Sequence, residues 1–261
     1  MAVTVGKVAV CVKYVPEGRI WIDPGSRRLD RTGPGGLNGV DLHAVEEALR
    51  VKDQTGAEVV AVSMGPHKAV EALRGVLALG ADRALLISDE NAAGSDLIAT
   101  SKVLAFALER EAPDLVLFGQ QASDGGGALL WAAVAELLQR PLISQAAELT
   151  LDAMVLRATR QTEAGDEVIE ASLPAVVAVS DAINEPRSAS LREIMAAKKK
   201  PLDVMTISEL GIDLGQAGES GSKTVVQTIS KPPARVSHSK VVDEAEGPEA
   251  IIEFLLERQL I

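Results

Sequence analysis

The feature that most constrains this chain is an alternation in its first 140 residues, where short aliphatic runs are separated by longer segments of helical periodicity. Val8-Ala9-Val10-Cys11-Val12 reads as a buried strand. Asn38-Gly39-Val40-Asp41 then opens a helix whose Leu42, Val45 and Leu49 share one face. Asn38 suits the N-cap, and the Asp41 carboxylate falls in the first turn, where the helix dipole favours it. Glu58 to Ser63 is a second strand, broken by Gly65-Pro66, and Pro66 suits the first position of a helix striped by Val70, Leu73 and Leu77. Ala84 to Ile87 is a third strand, and Ser95 is positioned to cap a helix running to about Arg110. Asp114 to Phe118 is a fourth, followed by a Gly-rich turn and a nearly all-apolar helix from about Ala128 to Leu138. Strands alternating with helices of about 10–15 residues imply repeated βαβ units and a parallel sheet. Right-handed crossovers place helices on both of its faces.

Composition agrees. Hydrophobic residues make up 47% but aromatics only 2%, so the core is aliphatic, as suits strands buried on both faces. A net charge of −11 argues against holding nucleic acid by phosphate neutralisation. No apolar run approaches the roughly 20 residues of a membrane span. The strand-like run at Lys7 to Lys13 leaves no room for a signal peptide before it. The single cysteine, Cys11, excludes an internal disulfide framework and fits a reducing compartment, so a cytoplasmic protein is expected.

After Pro141 the texture changes. Leu149-Thr150-Leu151, Met154 to Arg160 and Glu167 to Leu173 read as short strands of an antiparallel ribbon, with turns at Asp152-Ala153 and Ala164-Gly165-Asp166. Ala175 to Val179 is one more apolar strand, and Leu191 to Lys200 a helix stopped by Pro201. Residues 211–247, rich in Gly, Ser, Pro and charge, read as an extended arm with no core of its own. A helix from Glu249 to Arg258 closes the chain, striped by Ile252, Leu255 and Leu256.

Open α/β sheets bind ligands beyond the carboxyl ends of their strands. Four such ends surround one crevice here: Cys11-Val12-Lys13, the loop before Asn38, Ser63-Met64-Gly65, and Gly119 to Gly127. In the last, Gly125-Gly126-Gly127 lets main-chain N–H groups approach a ligand, and the helix start beyond favours phosphate. The same triplet also reads as a plain flexible turn, and it is neither a GxGxxG fingerprint nor a P-loop. Cys11 reads as a buried small hydrophobe. His43, His67 and His238 have no metal-ligand spacing and read as solvated, and no metal site is expected. No nucleophile–base arrangement stands out, which argues against a self-contained enzyme.

Two segments carry a family resemblance. Ala158-Thr159-Arg160-Gln161-Thr162-Glu163-Ala164-Gly165-Asp166-Glu167-Val168-Ile169-Glu170-Ala171-Ser172-Leu173-Pro174-Ala175-Val176-Val177 resembles the signature of electron transfer flavoprotein beta subunits, departing only at Ala164 in the turn. Asn184-Glu185-Pro186-Arg187-Ser188-Ala189-Ser190-Leu191, with the lysine-rich segment to Lys200, is similar to that family's partner-recognition loop. Shorter similarities, such as Val62-Ser63-Met64-Gly65-Pro66 and Ala78-Leu79-Gly80-Ala81-Asp82, extend over almost the whole chain.

The resemblance implies an α/β, doubly wound, mostly parallel sheet of the adenine nucleotide alpha hydrolase type, with an antiparallel ribbon and an extended C-terminal arm. Residues 1–210 would form the nucleotide-binding domain, with the docking loop and helix at 181–200, and residues 211–261 an arm and helix wrapping the alpha subunit. The heterodimer would carry electrons on FAD held mostly by the alpha subunit, taking them from flavin dehydrogenases such as acyl-CoA dehydrogenases. A quinone oxidoreductase or another acceptor would receive them. The beta chain would cover the flavin near Tyr14 to Gly18, although some members place an aromatic about where Gly18 stands. It would bury an AMP, or a second FAD as in electron-bifurcating members, against Cys11, Asn38, Gly39, Val40, Asp41, Met64, Gln121, Ala122, Asp124, Gly125, Gly126, Gly127, Ala128, Leu129 and Leu130. Many members carry polar residues after the glycines, whereas Gly127-Ala128-Leu129-Leu130 offers only main-chain donors, so phosphate contacts would be made by backbone N–H groups. Docking would rest on Asn184, Glu185, Pro186, Arg187 and, as anchor, Leu191. Lys198 to Lys200 read either as a solvated helix end or as steering charges. Rival readings are a stand-alone ATP- or AMP-binding protein of the universal stress type, a nucleotide-free interaction subunit, and an enzyme acting alone.

Overall fold

The computed structural model describes residues 5–18, 20–231, 233 and 247–261. It divides into a compact unit ending at Gln227 and a second unit from Thr228 to Ile261. The strands of the first unit are β1 (Lys7–Cys11), β2 (Tyr14–Pro16), β3 (Gly35–Leu37), β4 (Glu58–Met64), β5 (Arg83–Ile87) and β6 (Leu115–Gly119), then β7 (Leu142–Asp152), β8 (Val155–Thr162), β9 (Gly165–Ser172), β10 (Ala175–Val179) and β11 (Leu202–Met205). Its helices are α1 (Gly39–Thr55), α2 (Val70–Leu79), α3 (Leu97–Glu111), α4 (Leu130–Leu137), α5 (Leu191–Ala197) and the single turn α6 (Gly218–Gly221).

Nine strands form one sheet in the order β11-β5-β4-β1-β6-β10-β7-β8-β9, and β2 pairs with β3 in a separate two-stranded ribbon. Strands β11 through β7 run parallel, and β8 and β9 continue antiparallel. The central strands are buried on both faces, so successive residues feed two different helix layers. Val8 and Val10 join Val45, Leu49, Leu73 and Leu77 of α1 and α2, whereas Ala9 and Cys11 join Val103, Leu104 and Val134 of α3 and α4. Burying each such aliphatic side chain contributes about 1.5–3 kcal/mol. The chain steps outward from β1 through β4 to β5, then returns to β6 on the other side of β1. That reversal is the topological switch point, where crossovers to opposite faces leave a crevice.

Several elements differ from the sequence reading. β11 was not expected: four half-exposed residues, one of them Asp203, lack the all-apolar signature, yet they pair in parallel with β5 as an edge. β7 begins at Leu142, not Leu149, and is one strand interrupted at Gln145 (φ 54), where its register against β10 shifts. The cap of α3 is Asp96, whose side chain accepts from Ala99 N, while Ser95 Oγ donates to Ala92 O and accepts from Gly218 N. Leu191 to Lys200 is helical only to Ala197. The arm does not leave at 211: Ile212 and Ala217 are buried among Val103, Leu108 and Ile207, so this stretch belongs to the α3 layer. In the second unit, α7 (Gly247–Glu257) carries exposed Ile251, Ile252, Phe254 and Leu256. His238 and the rest of the arm at 234–246 lie outside the described residues.

Candidate functional site

At the switch point, α1 enters directly over the end of β6. Gly119 permits this, because a Cβ there would overlap Asp41 Oδ1 and lie 3.0 Å from both Asp41 N and the Val40 carbonyl carbon. Asn38 occupies the N-cap position of α1, as expected, but its side chain makes no capping hydrogen bond. Its side chain reaches across the crevice instead: Nδ2 donates to Asp41 Oδ1 (2.9 Å) and to Gln121 O (2.9 Å), while Oδ1 accepts from Ser123 N (3.1 Å). Asp41 Oδ2 accepts from Lys13 N at 2.8 Å. Asn38 and Asp41 are both buried. The dipole expected to favour the Asp41 carboxylate is outweighed: burial pushes it up to about 7, against opposing hydrogen bonds from Asn38 and Lys13. Burial, with the Asp41 charge beside it, also pushes the Cys11 thiol up, so Cys11 stays an inert thiol.

The far side of the loop is held by charge. Lys13 Nζ donates to Asp124 Oδ1 at 2.7 Å, and Arg31 Nη1 lies 2.7 Å from Oδ2 as an ion pair, though no aligned hydrogen bond reaches that oxygen. Burial alone would raise the Asp124 carboxyl, but the Lys13 and Arg31 contacts more than offset it and hold it below its ordinary value. Lys13 Nζ stands 3.9 Å from where a Cβ on Gly125 would sit, so the ammonium lies against the glycine turn. Gly126 (φ 58) and Ala128 (φ 45) take left-handed conformations, the kind from which main-chain anion nests are built. Among the described residues, the N–H groups of Gly127, Ala128, Leu129, Leu130 and Trp131 donate to no protein acceptor. Helix α4 starts at Leu130, two residues later than expected, so Ala128 and Leu129 belong to this donor run and not to the helix.

Cys11 and Met64 stand on neighbouring strands at the same edge, on the α3/α4 side. The buried Ser63 hydroxyl next to Met64 has no partner among the described residues. Apolar strand ends and a run of unmet N–H groups are a donor set of the kind an adenine nucleotide needs. The expected crevice residues thus come together around β1 and β6, with Met64 one strand further out. Lys13 and Ser123 were expected at the strand ends around the crevice but were given no contact of their own, and Arg31 was not expected there. Lys13 was visible as a cation closing the first strand; nothing in the sequence pointed Arg31, in an irregular loop, toward Asp124. Tyr14 is buried in the α1/α2 core.

The second candidate surface also hangs on α1. Asn184 Nδ2 donates to His43 O (3.0 Å) and Glu47 Oε2 (3.1 Å), and Asn184 O lies 2.9 Å from His43 Nδ1. That contact makes Nδ1 the protonated nitrogen, so His43 is a structural link and not the solvated residue expected. Arg187 grips Glu46 through Nε (2.8 Å) and Nη2 (3.1 Å) and reaches Asp53 at 3.0 Å. Asn184 and Arg187 therefore bond back to α1, Arg187 from an exposed position; Pro186 is half-buried, and Glu185 is exposed. A capping box between Ser190 and Glu193 fixes the start of α5. Leu191, Ile194 and Met195, on one face at helical spacing, are 77%, 45% and 55% exposed. Ile194 and Met195 had not been singled out, although their spacing from Leu191 was readable. Lys200 Nζ donates to Leu77 O (2.9 Å) and Ala81 O (2.7 Å), so it is neither a solvated end nor a steering charge; Lys198 and Lys199 are exposed.

Fold and site together define a doubly wound α/β protein with a crevice of unmet main-chain donors at the switch point and an exposed apolar face on α5. Residues 27–210 match the electron transfer flavoprotein domain. Along nearly its full length the chain is similar to the electron transfer flavoprotein subunit beta of Mycobacterium leprae, 35% identical with 97% of this chain and 99% of that protein covered. Protein FixA of Azorhizobium caulinodans is 33% identical (97% and 94% covered), and the caffeyl-CoA reductase-Etf complex subunit CarD of Acetobacterium woodii 35% identical (98% and 100%). The chain belongs to the electron transfer flavoprotein family, on its beta-subunit side. That family is one of flavoprotein electron carriers, and its beta subunits work with an alpha subunit. Among the described residues, no helix is long and apolar enough to cross a membrane.

Proposed function

We propose that this chain is the nucleotide-holding beta subunit of a cytoplasmic heterodimer that takes electrons from flavin dehydrogenases and passes them, through FAD shared with the alpha subunit, to a quinone oxidoreductase or another acceptor. The name of the Acetobacterium relative, a subunit of a caffeyl-CoA reductase-Etf complex, supports a redox partner that acts on CoA thioesters. FAD supplies the redox chemistry when bound, and protein supplies position and electrostatics. The observation that carries the nucleotide reading is the run of unpartnered N–H groups from Gly127 to Trp131 over the crevice. Those groups would receive the phosphate of AMP, Lys13 and Arg31 would add positive charge beside it, and Cys11 and Met64 would wall the base. Leu191, with Ile194 and Met195, would seat in an apolar pocket of the dehydrogenase. The exposed apolar residues of α7 would cover part of the alpha subunit.

The test is co-expression with the neighbouring alpha-type gene, an absorption spectrum of the purified complex, and nucleotide extraction with mass analysis. A 1:1 heterodimer with a flavin spectrum that bleaches with a dehydrogenase and its substrate, releasing AMP on denaturation, is the expected result. A colourless monomer that binds ATP would overturn it. A flavin-bearing heterodimer with no adenine ligand besides its FAD would retain the carrier role and remove the AMP.

A further inference from the structure

The most direct hydrogen-bonded path from the first turn of α1 to the Gly-rich loop runs through the Asn38 amide. The amide is fully committed. Nδ2 faces two acceptors, Asp41 Oδ1 and Gln121 O, and Oδ1 faces one donor, Ser123 N. The ionised Asp41 carboxylate sets that orientation, because it can only accept. It takes Lys13 N on its other oxygen, so both of its oxygens are used. We propose that Asp41 is a positioning residue for the nucleotide loop: its carboxylate, acting through Asn38, holds Gln121 to Ser123 in place, and protonation of that carboxylate releases them.

The chemistry of release is local. A protonated carboxyl has a hydroxyl that must donate, and the Asn38 amide beside it presents a donor. Turning the amide over satisfies the hydroxyl but sets Oδ1 against Gln121 O and Nδ2 against Ser123 N, so both loop bonds are lost. The charged and titratable groups that face Asp41 do not duplicate it. Cys11 on β1 keeps its proton, Lys13 after β1 is tied to Asp124, and Asp124 in the loop is held ionised by Lys13 and Arg31. The Asp124 clasp therefore persists while Asp41 titrates. Asp41 changes state near pH 7, above its ordinary value of 3.8. With the folded-state value raised, the contribution of this group to global stability is lost as pH rises through about 7, while the loop gains its alignment over the same range. The site trades stability for order where the ligand is held.

This inference rests on the nucleotide reading only for its purpose, and its test separates the two. Hydrogen exchange of the dialysed heterodimer, corrected for intrinsic rates, is followed in peptides covering 121–131 from about pH 5.5 to 8.5, with and without added AMP. Protection of the loop, carried by the Ser123 amide, is expected to fall by roughly tenfold per pH unit as pH drops toward the Asp41 transition and to level off below it, while β10 peptides stay unchanged. Asp41→Asn should leave the loop loose at every pH, and Asn38→Ala should do the same with the carboxylate intact. A pH-independent loop in the unsubstituted protein overturns the proposal, whatever the variants do. So does an Asp41→Asn protein that keeps the original profile. Absence of AMP binding with a pH-dependent loop would remove the nucleotide reading and leave this one standing.

Discussion

The crevice and the 184–187 segment that leads into α5 hang on the same helix, and the two regions differ in what they leave unsatisfied. The first turn of α1 holds the Gly-rich loop through Asn38 and Asp41; the next turns hold the 184–187 segment through His43, Glu46, Glu47 and Asp53. In both places polar side chains are spent on fixing backbone. At the crevice the remainder is polar: five main-chain donors without a protein acceptor among the described residues. At α5 the remainder is apolar: Leu191, Ile194 and Met195 in solvent on a capped helix. Unmet donors call for an anion and unmet apolar surface for a protein. The unsatisfied remainder, more than the residues holding each segment, tells what kind of occupant each region takes.

The sharpest way to break the comparison is at the seat the two regions share. Gly119→Val puts a branched side chain into Asp41 and the Val40 carbonyl, with backbone on the far side. A loss of about 3 kcal/mol is expected, or roughly 6–12 °C in Tm, together with loss of bound nucleotide. A shift under about 2 °C would mean that α1 can lift from β6 freely, and that the two regions are not fixed by one contact.

Arg187→Ala comes next and acts on the docking side alone. It leaves the buried Glu46 carboxylate without its bidentate partner, at a cost of about 1–3 kcal/mol. Burial by itself would raise Glu46, and Arg187 holds it below its ordinary 4.5. The stabilisation is therefore full above that value and lost as pH falls through the lowered one, so the penalty of the variant should shrink as pH falls below the ordinary 4.5. Denaturation at two pH values checks this. A penalty independent of pH would mean that Arg187 packs without pairing.

The physical basis of these contrasts also explains what could be read from sequence. The α/β repeat was legible because strands buried on both faces must be continuous aliphatic runs, and helices packed on them must be striped; Val8 to Cys11 and Leu73 to Leu77 announce themselves. β11 escaped because an edge strand needs only one apolar face, and Leu202-Asp203-Val204-Met205 shows little of that. The crevice was legible as a place, since strand ends are fixed by topology. Its wiring was not, because Asn38 is an equally good cap in isolation, and only the proximity of Gln121 and Ser123, more than 80 positions away, gives its amide a better use. Asn184 and Arg187 were read as presenting themselves to a partner for the same reason: their partners on α1 are invisible in one dimension.

Leu191→Ala separates the regions in the opposite sense from Arg187→Ala. A side chain with 77% of its surface in water contributes little to folding, so Tm should not move. Electron delivery from the native dehydrogenase should weaken by about 2 kcal/mol, roughly 30-fold in apparent affinity, with flavin content unchanged. Normal transfer kinetics would dissociate the exposed face from docking. The smallest effect expected is at the lysines. Lys198 and Lys199 are free to act through charge, whereas Lys200 is anchored on two carbonyls of α2 and the turn after it. Substituting Lys198 and Lys199 together by Gln should slow association about threefold at low salt and lose that effect as ionic strength rises, with stability constant. Lys200→Gln should do the reverse, lowering stability at unchanged association rate, because it removes donors from buried carbonyls. If all three lysines behave alike, the segment is a solvated helix end, and docking rests on the apolar face alone.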